Sequence, residues 1–230
     1  MPDVIQESVS VRGPRRLAGE LAYTVEPPLA TCLLINPHPY MGGRMDNNVI
    51  AHLASALSAA RIATLRFDYA GVGSSEGQAI DVLSSMAAFW QTGHAPVDAL
   101  MIEDAASSLN WLRAQHHAPL FVAGYSFGAY VAMQIAPADC AGIALISPTV
   151  KHHDFSSPSA TGVPTLVISG DNDFATDATT LARWLDALSA PKRVRHIVGG
   201  QHFFRGLEQE VAREAIAFFK DILDLRSANP

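Results

Sequence analysis

The chain has 230 residues, of which 49% are hydrophobic, and a formal net charge of −6. This length suits one domain, and so large an apolar share argues against a disordered chain. The negative charge and the lack of a Lys/Arg-rich run argue against a nucleic-acid groove, and no apolar stretch approaches the roughly 18 residues of a membrane span.

The start of the chain is polar and acidic, without the basic start and apolar stretch of a signal peptide. Its two cysteines, Cys32 and Cys140, lie in or beside apolar strand patterns, which favours buried thiols over a disulfide scaffold or a zinc cluster. We therefore expect a cytoplasmic protein without membrane contact, with residues 1–230 forming a single domain.

The predicted elements begin with an antiparallel hairpin, residues 5–12 and 15–23, around Gly13 and Pro14. Apolar runs of strand length then alternate with amphipathic segments, the first of which Asp46 can cap. Further strands are predicted at 31–35, 62–67, 120–123, 143–146, 165–168 and 194–198, and helices at 47–61, 98–113, 127–136, 177–188 and 207–225. This order predicts an α/β fold: a mostly parallel eight-stranded sheet with an N-terminal antiparallel hairpin and helices on both faces.

A serine follows one of these strands directly. Ser126 is flanked by Gly124 and Gly128, and an apolar helix begins right after it. Glycines at these spacings permit the sharp strand-to-helix turn of a nucleophile elbow, which lifts a serine hydroxyl above the carboxyl end of a sheet. Ser126 is therefore the predicted nucleophile, and a merely structural turn is the alternative.

Three further segments, 36–48, 66–75 and 200–204, carry a resemblance that runs in order along essentially the whole chain. The sequence resembles the α/β-hydrolase superfamily, above all its compact bacterial esterases related to dienelactone hydrolases and the catalytic domains of acyl-peptidases. The resemblance implies a Ser-Asp-His catalytic triad in that chain order.

Within this resemblance, His202 takes the place of the general base, in a loop between the last predicted strand and the last helix. The orienting acid comes three residues after Gly170, which selects Asp173. Asp171 remains as a residue that braces the turn through its side chain.

The oxyanion hole needs two backbone donors. One is expected to be the N–H of Phe127, the residue after the nucleophile. The resemblance implies that the other is the N–H of Tyr40, with the neighbouring Met41 as the alternative.

Residues 77–96 are the part of the sequence that resembles the superfamily least. Met86, Phe89 and Trp90 in this stretch are expected to form a small apolar cap over the substrate pocket, and an ordinary amphipathic helix is the alternative. Neighbouring histidines such as His152 and His153 are poor joint metal ligands because adjacent side chains do not face one site. His94 falls in the insertion, where it could line the pocket.

The sequence thus predicts a serine hydrolase that cleaves a small ester through a covalent acyl-enzyme, with a small-molecule acyl substrate and neither cofactor nor metal. A thioesterase, acyltransferase, peptidase or lyase could use the same triad, since fold does not fix function. The oligomeric state stays open, with a homodimer among the options.

Overall fold

A computed structural model describes residues 3–81, 89–156, 160 and 162–228. The strands are β1 (Val4–Arg12), β2 (Arg16–Thr24), β3 (Ala30–Ile35), β4 (Ile62–Phe67), β5 (Leu120–Tyr125), β6 (Gly142–Ile146), β7 (Thr165–Asn172) and β8 (Lys192–Gln201). The α-helices described in full are α1 (Asn48–Ala59), α2 (Asp98–Gln115), α3 (Phe127–Ile135), α4 (Ala178–Ala187) and α5 (Glu208–Ala228).

The strands form one eight-stranded sheet in the order β1-β2-β4-β3-β5-β6-β7-β8. β1 pairs antiparallel with β2, and β2 lies antiparallel to β4. Every pair from β4–β3 to β7–β8 is parallel. The predicted sheet, mostly parallel with an N-terminal antiparallel hairpin, is confirmed.

Apolar side chains leave both faces of the central strands. In β3, Leu33 and Ile35 enter one buried cluster, while Cys32 and Leu34 enter another on the opposite face. Helices α2 and α3 cover the first face, and α1 and α5 cover the second. Because both faces are covered, the strand sequences read as continuous apolar runs rather than alternating ones.

Two strands run further than their apolar patterns predicted. The β7–β8 ladder continues through Ser169 and Gly170, and resumes after a bulge where Asn172 pairs with Gln201. A Cβ on Gly170 would collide with the backbone of Gly200, so the two chains approach closely here. The polar residues of this segment gave no strand signal, yet backbone pairing holds them. The loops after β7 and β8 consequently begin side by side.

Helix α1 is capped one residue later than expected. The side chain of Asn47, not that of Asp46, accepts the N–H of Val49, at 3.1 Å. Asp46 instead lies 3.4 Å from Arg44 on the surface. Among the described residues, no helix combines the length and apolar character needed to cross a bilayer.

Candidate active site

Ser126 lies at the turn between β5 and α3. Its backbone has φ of 59° and ψ of −120°, a region that non-glycine residues rarely adopt. A Cβ on Gly124 would collide with the carbonyl of Gly128, and a Cβ on Gly128 with that of Ile35. The two glycines are therefore required for the turn.

Three of the predicted side chains meet at this turn. His202 Nε2 lies 2.9 Å from the Ser126 hydroxyl, and His202 Nδ1 lies 2.7 Å from Oδ1 of Asp173. All three side chains are buried. A carboxylate on Nδ1 leaves Nε2 free to accept the serine proton, so the arrangement can generate an alkoxide nucleophile.

The two aspartates at the end of β7, one within the strand and one just after it, lie in different positions. Asp171 pairs with His196 at 2.5 Å and accepts the N–H of Gly199, also at 2.5 Å, at the surface. Asp173 faces His202 and accepts the N–H of Ala175 at 2.8 Å. Burial raises the pKa of Asp173, but its bonds to His202 and Ala175 outweigh burial, so the pKa stays below its usual value.

The loop carrying His202 is held by residues that sequence reasoning missed. The hydroxyl of Tyr125 donates to the carbonyl of His202 at 2.8 Å, and Asn48 donates to the carbonyl of Phe203 at 3.1 Å. The ring of Phe174 packs on the imidazole, with centroids 4.6 Å apart. Tyr125 directly precedes Ser126. The glycines around Ser126 indicated the turn, but nothing in the sequence indicated this hydrogen bond of Tyr125.

The three predicted oxyanion donors differ in whether their N–H groups already have a hydrogen-bond acceptor. Phe127 is the first residue of α3, and the first N–H groups of a helix have no partner within it. The N–H of Tyr40, in a short 3₁₀ turn, donates to Nδ1 of His38 at 3.1 Å. The N–H of Met41 donates to the carbonyl of His38 at 2.8 Å.

His38 is wholly buried behind that turn. Because its Nδ1 accepts from Tyr40, its proton lies on Nε2, which is 3.2 Å from Oδ1 of Asp98. Its ring contacts those of Tyr40, Phe89 and Phe127, with centroids 4.6, 4.6 and 4.9 Å away respectively. His38 thus connects the Tyr40 turn to α2 and to the start of α3.

A cavity of about 240 Å³ opens in front of Ser126 and His202. Of the predicted pocket residues, Phe89 and Trp90 line it, whereas Met86 lies outside the described residues. Met41 lines the cavity, while Tyr40 is buried and does not line it. The remaining lining residues are His38, Gly93, Phe127, Thr149, Lys151, His152, His153, Phe174 and Ala175.

The cavity is lined by three aromatic rings, those of Phe89, Trp90 and Phe174, and by one lysine, Lys151. None of its described lining residues is Asp or Glu. The site therefore fits a small acyl group that is apolar or carries a negative charge.

The chain is similar to known proteins over most of its length. The sequence profile of a family described as serine aminopeptidase, S33, matches residues 41–161, more than half of the chain. A solved structure of a protein of unknown function from Agrobacterium tumefaciens shares 27% identity, with a TM-score of 0.79 over 95% of this chain and 97% of that one.

Two further solved structures are similar. An α/β serine hydrolase without a lid, from Xanthomonas campestris, shares 27% identity, with a TM-score of 0.71 over 91% of this chain and 94% of that one. A dienelactone hydrolase from Anabaena variabilis shares 22% identity, with a TM-score of 0.69 over 95% and 98% of the two chains, which shows likeness of fold alone.

Proposed function

This chain belongs to the family described as serine aminopeptidase, S33, and is an α/β hydrolase, and from that premise we propose that it cleaves small carboxylic esters through a covalent acyl-enzyme on Ser126. The observation that carries the proposal is the continuous contact from Asp173 through His202 to the Ser126 hydroxyl. A serine hydroxyl is a poor nucleophile until such a base takes its proton.

In the first half of the reaction, Ser126 Oγ attacks the ester carbonyl carbon while His202 Nε2 takes the hydroxyl proton. The tetrahedral intermediate collapses, the alkoxide leaves, and His202 returns the proton to it as the alcohol forms. Water then attacks the acyl-enzyme and loses a proton to His202. The second tetrahedral intermediate collapses, and His202 returns that proton to the leaving Ser126 Oγ as the carboxylic acid is released. Asp173 stabilises the imidazolium throughout.

The carbonyl oxygen becomes negative in each tetrahedral intermediate and needs fixed donors. We assign the N–H of Phe127 as one donor, since the start of α3 also favours negative charge. The N–H of Tyr40 remains the proposed second donor, with Met41 as the alternative. Each amide would have to exchange its present acceptor on His38 for the oxyanion.

Ester hydrolysis is favoured over aminopeptidase chemistry by the charge of the cavity. An aminopeptidase must bind the α-ammonium group of its substrate, for which a carboxylate is the ordinary partner. The described lining residues supply Lys151 and histidines instead. A thioester, an acyl acceptor other than water, or a lyase reaction would use the same relay.

The nucleophile is tested by Ser126→Ala. We expect the variant to lose labelling by a fluorophosphonate probe and turnover of short p-nitrophenyl esters, leaving at most the residual roughly 10³–10⁴-fold acceleration over water that binding groups alone provide. Ser107→Ala, at a half-buried position of α2 whose hydroxyl donates to the carbonyl of Glu103, is the control and should behave as wild type. If Ser126→Ala is labelled like wild type, Ser126 is not the nucleophile.

The bond cleaved is tested with paired substrates. p-Nitrophenyl esters, thioesters and aminoacyl p-nitroanilides of matched acyl size are compared by kcat/KM. We expect the ester to lead and the free amino group of the anilides to lower kcat/KM. A preference for the aminoacyl anilides would favour the peptidase reading instead.

A further inference from the structure

Three titratable side chains converge beside the cavity but outside the Ser126 relay. His94 precedes α2, Asp98 is the first residue of α2, and His153 lies in the loop after β6. One ring nitrogen from each histidine and one carboxylate oxygen of Asp98 lie within 4.8 Å of one another. His94 and His153 are far apart in the sequence, so only the fold brings them together.

His153 is the most telling member of this cluster. Its residue is 7% exposed, and its Nδ1 lies 2.9 Å from the hydroxyl of Thr149. The other ring nitrogen, Nε2, is buried and has no hydrogen-bond partner. Buried polar atoms are nearly always satisfied, so an orphaned one points to a ligand.

Asp98 is held in place from several directions. Its Oδ2 accepts the N–H of Ala95 at 3.1 Å and lies 3.4 Å from Nδ1 of His94. Its Oδ1 is buried 3.2 Å from Nε2 of His38, yet neither atom has a hydrogen bond of good alignment. The hydroxyl of Thr149 on the imidazole of His153 is an outer contact of the kind that orients the ligands of metal ions.

We propose that His94, Asp98 and His153 bind one divalent transition-metal ion of the zinc class. Two imidazoles and a carboxylate suit Zn²⁺ and its neighbours, whereas Mg²⁺ and Ca²⁺ prefer oxygen ligands throughout. A three-ligand set leaves a coordination position open to water or to a group of the substrate.

To bind one ion, the three ligand atoms need to move only slightly closer to one another. Ligand atoms about 2 Å from a shared zinc ion lie somewhat more than 3 Å from one another. The side chain of His94 is 53% exposed and can turn inward without disturbing the core. The side chain of His153 is buried and held by the hydroxyl of Thr149, so His94 is the ligand that would move.

Zinc titration of chelator-treated protein, followed by competition with a chromogenic chelator, tests the site. We expect one ion per chain, and binding weakened more than about 100-fold in His94→Ala and in His153→Gln, because outer contacts alone are worth about 10–100-fold. Thr149→Val removes only an outer contact, so it should weaken zinc binding by about 10–100-fold. His196→Gln, which removes an exposed histidine paired with Asp171, is the matched control and should bind as wild type.

Other results overturn the proposal. If His202→Gln abolishes zinc binding while His94→Ala retains it, the ion sits on the Ser126 relay instead. Equal loss in His196→Gln, or no one-to-one binding by wild type, contradicts it as well. His94 is exposed, so its variant decides the question even if His153→Gln fails to fold, and circular dichroism identifies that case.

Discussion

Among single side chains, Asp173 has two roles that can be measured separately. Its Oδ1 lies 2.7 Å from Nδ1 of His202. This contact keeps the proton on Nδ1 and directs Nε2 towards Ser126. Asp173 also ties down the start of the following loop through the N–H of Ala175. The first role concerns rate and the second concerns stability.

Asp173→Asn is expected to lower kcat on a p-nitrophenyl ester by about 10⁴-fold, because an amide that donates to Nδ1 stabilises the wrong tautomer of His202. KM should change far less. Asp171→Asn is the matched control: its carboxylate touches His196 and Gly199 but not His202, so kcat should stay near the wild-type value. Equal losses in the two variants would refute the assignment of Asp173.

The same carboxyl links stability to pH. Its pKa in the folded protein lies below the usual value, so its stabilising contribution is complete above the unfolded pKa of about 3.9 and is lost as the pH falls through the folded pKa. The stabilising difference in unfolding free energy between wild type and Asp173→Asn should therefore be present at about pH 5 and shrink as the pH falls below about 3.9. Urea denaturation at these pH values measures it, and a difference that grows on acidification would contradict the sign.

Single residues also show where sequence reasoning ends. The choice of Ser126, Asp173 and His202 rested on residue types placed after predicted strands and on the family resemblance. The grouping of His94 with His153 could not be found that way, because it depends on how two loops pack. Nor could spacing reveal that the N–H of Tyr40 donates to His38, since this follows from a 3₁₀ turn with no periodic pattern.

Among the elements, the β5–α3 turn leaves no room for added side-chain atoms at either of its glycines. Gly128 lies against the carbonyl of Ile35, at the end of the neighbouring strand β3. A methyl group there must push α3 away from β3, and α3 begins right beside Ser126. The packing of one helix against one strand thus sets the position of Ser126, the proposed nucleophile.

Gly128→Ala is therefore expected to lower kcat/KM at least about 100-fold, since displacements near 1 Å cost that much in a positioned active site. Ester turnover and thermal unfolding are measured together. Gly19→Ala in β2 is the control: its Cβ would lie 3.2 Å from the carbonyl oxygen of Arg66, a tight contact that a shift of a few tenths of an ångström relieves, and it lies away from Ser126. Wild-type activity in Gly128→Ala would show that the turn adapts.

Element ends were the weakest part of the sequence prediction. The type and order of the predicted strands and helices are confirmed, because apolar periodicity reports which face is buried. The ends of β7 and β8 were missed, because their last residues, such as Asn172 and Gln201, are held by backbone pairing that leaves no mark on side-chain pattern.

In the whole molecule, stability comes from the two apolar layers that sandwich the sheet. Leu33 is fully buried in the layer beneath α2 and α3. Leu33→Ala removes its methyl groups and leaves a cavity in a strand flanked on both sides. The site lies at the ends of the strands and does not include this residue.

Leu33→Ala should cost about 2–5 kcal/mol in unfolding free energy, measured by urea denaturation. The kcat of the folded protein should stay near wild type at temperatures well below unfolding. Val25→Ala, at a position 82% exposed, is the control and should change stability by less than about 0.5 kcal/mol. A cost below about 1 kcal/mol for Leu33→Ala would mean that the layer repacks.

The outer edge of the sheet bears on assembly. β8 ends the strand order and carries Lys192, Arg193 and Arg195. Arg193 and Arg195 pair with Asp221 and Glu214 of α5. Charged side chains along an edge strand discourage pairing with another sheet. A homodimer that extends the sheet through β8 is therefore disfavoured.

The proposed triad and much of the cavity wall belong to separate parts of the chain. The triad residues follow β5, β7 and β8, whereas residues 89–93 and 149–153 supply half of the lining residues. Substrate preference can thus diverge by drift in two surface segments while the chemistry is inherited unchanged. Variants selected in the laboratory for a new ester should therefore carry their mutations in these two segments. Variants that prefer different substrates would still use the same proposed reaction.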